Sequence, residues 1–162
     1  MKTAYRRPLL SAAAAIAPVL AAALAGSAVT MPAIPTWYAG LAKPWFTPPN
    51  WLFGPAWTLL YALMAYAFWR ILTLDRPADD KRAAILAFLV QIALNALWSF
   101  AFFGARAPGA GLVVIAALWV AITATIVAFA RLDRVAAWLL APYLAWTTFA
   151  SALNIGVYVL NR

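Results

Sequence analysis

The sequence predicts an all-α integral membrane protein, a single domain built as a bundle of five transmembrane helices. Three observations carry this reading. Of the 162 residues, 67% are hydrophobic and only 10% are charged, whereas a soluble domain carries roughly a quarter charged residues. Five apolar stretches are each long enough to cross a hydrocarbon core that needs roughly 20 residues per helix. The charges collect in the connections between those stretches.

The first stretch, 9–30, is alanine-rich and uninterrupted by charge. It has a second reading, because the basic start (Lys2, Arg6, Arg7) and the small-residue run Ala25-Gly26-Ser27-Ala28 resemble a cleavable signal peptide. Its length favours a retained helix, and removal would leave the topology of the other four unchanged. The remaining stretches are 51–73, 83–104, 109–130 and 135–160. Their connections, 75–82, 105–108 and 131–134, are short and polar, which makes sequential helices antiparallel neighbours. The connection 31–50 is different. Prolines at 32, 35, 44, 48 and 49 forbid a regular helix there. Trp37, Tyr38, Leu41, Trp45 and Phe46 make it apolar enough to pack back on the bundle as a lid, and ordered loops of this length are often functional.

Composition removes several functions. With no Cys there is no disulfide, thiolate site or cysteine nucleophile, and with no His there is no imidazole ligand or base. The acids are Asp75, Asp79, Asp80 and Asp133, all expected in loops, so no carboxylate at membrane depth can relay protons. The net charge of +8 forms no stripe suited to nucleic acid. It sorts by side instead. Lys2, Arg6, Arg7, Arg70, Arg76, Lys81, Arg82, Arg131 and Arg134 fall on one side, against Lys43, Arg106 and Arg162 on the other. The positive-inside rule then places the N-terminus in the cytoplasm and the proline-rich loop outside. This layout and the alanine-rich composition suggest a bacterial cell membrane.

A ligand site here must be made of aromatics and neutral polar groups. On the third helix Gln91 and Asn95 share a face with Trp98 and Ser99. On the fifth, Tyr143, Thr147, Ser151, Asn154 and Tyr158 form a broad stripe with Trp146 and Ala150 beside it. The second presents Trp57, Tyr61, Met64 and Phe68. Amides in hydrocarbon need partners, so Gln91, Asn95 and Asn154 should point inward. From spacing alone, bonding between helices and lining a pocket are both open. Trp51, Trp69 and Trp138 sit near helix ends, where aromatic belts collect. Trp57, Trp98, Trp119 and Trp146 lie deeper, with Trp119 read as core packing.

The run Trp37-Tyr38-Ala39-Gly40-Leu41-Ala42-Lys43-Pro44-Trp45-Phe46-Thr47-Pro48-Pro49 resembles the first-loop signature of the translocator protein family (TspO/MBR, tryptophan-rich sensory proteins, peripheral-type benzodiazepine receptor homologues). Phe53-Gly54-Pro55-Ala56-Trp57 with Tyr61 is similar to that family's second helix. Gln91, Asn95, Trp98 and Ser99, followed by Phe102-Phe103-Gly104, are similar to its third. Trp138-Leu139-Leu140-Ala141-Pro142-Tyr143, Trp146 and Leu153-Asn154 are similar to its fifth. The resemblance spans about 37–161, and the first stretch matches only as an apolar helix.

The resemblance implies a five-helix bundle, often a homodimer, that binds porphyrins, sterols and benzodiazepine-type compounds in a cavity beneath the first loop. The residues it implies for that site are Tyr38, Pro48, Trp57, Tyr61, Gln91, Asn95, Trp98, Trp146, Thr147, Ala150, Leu153 and Asn154. A flat tetrapyrrole such as protoporphyrin IX suits such a pocket. Trp57 and Trp146 would stack on it while Tyr61, Gln91 and Asn95 bond its polar edge, and Lys43 would meet its propionates. Without His, a metal-free porphyrin is easier to hold than haem. No cofactor is required and no metal site is expected, with porphyrin acting as ligand. Leu153, Tyr158 and Arg162 satisfy a loose sterol pattern that arises easily by chance, and sterol-like lipids and membrane lipid are further expected partners. The function implied is binding, translocation or sensing of tetrapyrroles in a regulatory or stress role. The alternatives are an enzyme that degrades porphyrin with light or oxygen and a passive helical subunit.

Overall fold

The computed structural model describes residues 8–162. The charges Lys2, Arg6 and Arg7, which entered the topology expectation, lie outside the described residues. Six helices follow in order: α1 (Pro8–Ala33), α2 (Phe53–Thr73), α3 (Ala78–Ser99), α4 (Pro108–Ala130), α5 (Arg134–Trp138) and α6 (Ala141–Leu160). Five spans are long and apolar enough to cross a membrane, the last made of α5 and α6 together. The chain is an integral membrane bundle. One end carries the lid, and the other carries most of the charges.

Four differences from the expected elements have physical causes. The last span is broken after Trp138, because Pro142 in the first turn of α6 has no N–H to continue the helix. The connection 75–82 is shorter than expected, since α3 begins at Ala78 and takes in Asp79 and Asp80. Acids in a first turn are favoured by the helix dipole. Lys81 in that same turn donates to the carbonyls of Leu72 (3.1 Å) and Leu74 (3.0 Å), serving carbonyls near the end of α2 that have no helical partner. At its other end α3 widens into a π-helical turn, Phe100–Gly104, closed by the Ala105 N–H on the Phe100 carbonyl at 2.7 Å. Arg106 then adopts φ 53°, and the chain reverses into α4. Finally, α1 lies between α2 and α3, so α3 packs chiefly on α1 and α4 and less on its sequential predecessor α2.

The packed core fills the charged half of the bundle. Phe88 lies fully buried between Phe68 and Phe129, with ring centroids 4.1 and 6.0 Å apart. Met64, Ile71, Leu118, Ile122 and Leu140 close around them. In lipid such contacts act through dispersion and fit, since the hydrocarbon outside is as apolar as the core. Trp119 is not part of this core. It is half-exposed on α4 and donates its indole N–H to Thr148 Oγ1 of α6 at 2.9 Å.

The ends are locked separately. At the charged end Arg70 Nε of α2 meets Asp133 Oδ2 at 2.8 Å. The other oxygen of Asp133 accepts from the backbone N–H groups of Val135 (2.8 Å) and Ala136 (3.3 Å), capping α5. At the lid end the Asn161 side chain grips Ala42 in both directions, accepting its N–H at 3.0 Å and donating to its carbonyl at 2.9 Å. Pro44 lies so close to Gly156 that a Cβ there would come within 2.7 Å of the proline ring. Only glycine allows that approach.

Burial would raise the Asp133 pKa, but the Arg70 hydrogen bond and the two backbone donors outweigh it and hold the carboxyl below its ordinary value. A depressed folded pKa stabilises the fold above the unfolded value of roughly 3.9 and loses that stabilisation as pH falls through the folded value. Asp133→Asn keeps a capping oxygen and discards the charge. It should lower the thermal midpoint at neutral pH and flatten the acid limb of the stability profile, as read by circular dichroism between pH 7 and pH 2.

Candidate functional site

In the lid half, where a smaller cluster of Tyr38, Phe102 and Val157 is packed, the bundle surrounds a cavity of about 470 Å³, within the size range of small-molecule sites. Its walls come from α1, α2, the end of α3 and α6, and its roof from the lid. Each wall follows from a helical repeat. Trp57 and Tyr61 lie four apart on α2, one turn toward the lid from buried Met64. On α6 the repeat Trp146, Ala150, Leu153, Val157 turns inward. Ala150 is the small residue that leaves room between the tryptophan and the leucine.

Eight of the twelve expected residues line this cavity: Tyr38, Trp57, Tyr61, Trp98, Trp146, Ala150, Leu153 and Asn154. The aromatic wall is continuous. Trp57 lies 5.3 Å from Tyr61 and 6.5 Å edge-on from Trp146, which in turn meets Phe53 at 5.9 Å, all between centroids. On the facing side Trp98 stacks on Phe102 at 5.4 Å.

The other four do not line it. Pro48 stays in the lid, half-buried. Asn95 is buried just below the floor, where Tyr61 donates to its Oδ1 at 2.9 Å and its Nδ2 donates to the Tyr143 hydroxyl at 3.0 Å. The amide expected to bond a ligand's edge is thus engaged by two tyrosines, and it ties α2, α3 and α6 together. Gln91 and Thr147 are also buried, and neither the Gln91 amide nor the Thr147 hydroxyl has a partner among the described residues. Asn154 does both jobs. At the cavity edge it accepts the Trp98 indole N–H at 3.1 Å and donates to the Pro108 carbonyl at the start of α4 at 2.9 Å.

Lys43 does not reach the cavity. Its ammonium donates to the carbonyls of Leu41 (3.0 Å) and Ala39 (3.3 Å) and stands 4.8 Å over the Tyr38 ring. It holds the lid in shape and is not placed to meet ligand carboxylates. Tyr38 is buried under the lid, which raises its pKa. The loose sterol pattern is split between faces. Leu153 looks into the cavity, while Tyr158 is half-exposed with Arg162 5.2 Å over its ring.

The family resemblance implies a wall from the first helix but names no residue on it; in the structure Ala23, Gly26, Ser27 and Thr30 of α1 line the cavity. A Cβ on Gly26 would approach Ser99 Oγ to 3.1 Å, so this glycine sets how close α1 comes to α3. The signal was present in Gly26-Ser27, because small residues mark close helix contacts in membranes. The same run also fits a cleavage site. As a wall of the cavity, packed on α2 and α3, α1 has the role of a bundle helix. Phe102 and Phe103 were noted only as motif residues. The π turn brings them onto Trp37 and Tyr38 of the lid, with centroids 5.6 Å apart for Trp37–Phe102 and for Tyr38–Phe103.

Replacing Asn95 by Leu strands the buried Tyr143 hydroxyl and the part-buried Tyr61 hydroxyl at once. Intramembrane hydrogen bonds are worth about 1–2 kcal/mol at most, so Asn95→Leu should lower stability by roughly 2 kcal/mol against wild type in a detergent unfolding titration. Tyr143→Phe, which leaves the Tyr61 bond in place, should cost less.

Comparison with known proteins converges on one family. The TspO/MBR family profile matches residues 14–160, which takes in most of α1 as well as the motifs of the later helices. The chain is 49% identical over 156 residues to a tryptophan-rich protein TspO of Archaeoglobus fulgidus, covering 94% of this chain and 98% of that one. It is 40% identical over 155 residues to a tryptophan-rich protein TspO of Chlorobaculum tepidum, covering 96% and 98% respectively. With the human translocator protein it shares 41% identity over 127 residues, covering 78% of this chain and 75% of that one. A five-span bundle, an aromatic cavity under a proline-rich lid and this breadth of similarity agree: the chain is a member of the TspO/MBR family.

Proposed function

We propose that this protein binds a flat, largely apolar ligand of the tetrapyrrole class in the cavity, and acts as a membrane receptor or translocator for it. The observation that carries the reading is the wall itself. Trp57, Tyr61, Trp98 and Trp146 present ring faces and edges to one space, and no charged side chain lines it among the described residues. Aromatic walls favour planar conjugated guests, through stacking worth about 0.5–1.5 kcal/mol per ring beyond simple burial. A metal-free porphyrin such as protoporphyrin IX meets that description, with its carboxylates held at the mouth where Asn50 and Thr30 stand. Relatives named translocator protein and tryptophan-rich sensory protein support a transport or sensing role over a purely structural one. A cytoplasmic N-terminus, with the lid on the opposite side, accords with the six basic residues at the charged end, Arg70 to Arg134, against Lys43, Arg106 and Arg162 at the lid end.

Titration of the purified protein in detergent with protoporphyrin IX, followed by tryptophan quenching, tests the reading. Wild type should bind saturably at about micromolar concentration or tighter, and a Trp57→Phe, Trp146→Phe variant should bind at least tenfold more weakly, a difference of about 1.4 kcal/mol. Equal binding by both proteins, or none by either, would detach the ligand from this cavity.

A further inference from the structure

We infer that the cavity takes its ligand sideways from the bilayer, through an opening between the lid-end halves of α1 and α2, and that the lid stays shut during exchange. The inference rests on the cavity being the tetrapyrrole site.

The opening follows from how the two helices part. In the charged half they pack closely, with Ala15, Val19 and Ala22 of α1 buried in the same core as Leu60, Met64 and Ala67 of α2. Toward the lid α2 has no buried residue from Phe53 through Leu59. Over that height α1 leans the other way. Gly26 lies against Ser99, and Val29 comes within 3.7 Å of a Cβ built on Gly104. With α1 drawn onto α3 and the π turn, the matching half of α2 has lost its neighbour.

The edges of that gap are both cavity wall and outer surface. Met31 on α1 and Trp51 before α2 line the cavity and are 69% and 71% exposed. Ser27, Gly54 and Thr58 also line it and are exposed. Gly54 marks the centre of the α2 edge, where an added Cβ would meet nothing within 4 Å.

The lid side is fastened. Tyr38 is buried, Pro44 is seated on Gly156, and Asn161 grips Ala42 through two hydrogen bonds. Opening there would break all three contacts, whereas a guest passing between α1 and α2 meets only side chains. The rim is apolar with neutral hydroxyls, and Trp51 suits the membrane–water boundary. Such an opening selects amphiphiles already dissolved in lipid, with a planar apolar body and polar groups held at the headgroup level.

The test uses full-length protein in liposomes whose lipid carries protoporphyrin IX, with transfer followed by stopped-flow tryptophan quenching. Gly54→Phe fills the opening without touching the packing and should slow association and dissociation together, by about tenfold. Gly40→Phe is the control, since Gly40 also has open space around it but lies on the lid, away from the cavity. It should leave both rates unchanged. The chain has no cysteine, so an Ala42→Cys, Asn161→Cys pair can be oxidised cleanly to lock the lid, and exchange should match the reduced form. Intact wild-type binding with rates indifferent to Gly54→Phe, or slowed by the locked lid, would overturn the lateral opening alone. Absence of saturable binding by wild type would overturn the tetrapyrrole site and the opening with it.

Discussion

A polar group inside a bilayer needs a partner within the protein, and in this bundle Asn95 and Asn154 supply such partners for the rings around them, while the Gln91 amide and the Thr147 hydroxyl stand without one among the described residues. Three asparagines fix α6 at successive heights. Asn95 joins it through Tyr143 to α3 and, through Tyr61, to α2. Asn154 joins it to Trp98 and to the start of α4. Asn161 joins its end to the lid. Each tie is modest, on the order of 1 kcal/mol, but together they hold α6 at a fixed distance from α2 and α3. The space left between them is the cavity.

The two halves of the bundle are therefore built on different principles. The charged half is filled by stacked Phe68, Phe88 and Phe129 and closed by the Arg70–Asp133 pair. The lid half is kept open by polar ties and roofed by aromatic packing. The π turn is the device that joins wall to roof. By inserting a wider turn after Ser99 it aims Phe102 and Phe103 at Trp37 and Tyr38, so the lid rests on side chains of α3 as well as on α6. π turns are rare and cluster at functional sites. Gly156 and Gly26 allow two close approaches that this arrangement needs, one for the lid and one for α1.

Much of this was legible in the sequence. Apolar length and charge placement are read directly from residue type, so the five spans were evident. The proline-rich aromatic loop announced a lid for the same reason. What was missed depended on neighbours in space. The apolar run 135–160 reads as one continuous helix, although the missing N–H of Pro142 makes a break there. Charge alone places Asp79 to Arg82 in a loop, whereas first-turn acids and the Lys81 bonds to α2 draw them into α3. Depth alone places Trp119 in the core, but depth along a helix does not say which way the helix faces. The site divided in the same manner. Trp57, Tyr61, Trp98 and Trp146 line the cavity, while Gln91, Asn95 and Thr147 share their faces yet lie behind the wall. Helical spacing gives a direction and not a distance from the axis of the bundle, and Gly26 and Ser27 were overlooked because a small residue gives no signal of its own until its neighbour is known.

The central claim is that the asparagine ties frame a preformed aromatic cavity that receives a planar ligand without being rebuilt. A structure of the protein in complex with protoporphyrin IX tests it most directly. The ring should lie against Trp57 and Trp146, with Asn95 still bonded to Tyr61 and Tyr143 and the Asn161 grip on Ala42 intact. A porphyrin bound on the lipid-facing surface, or one that displaces Tyr61 from Asn95 to make room for itself, would contradict it.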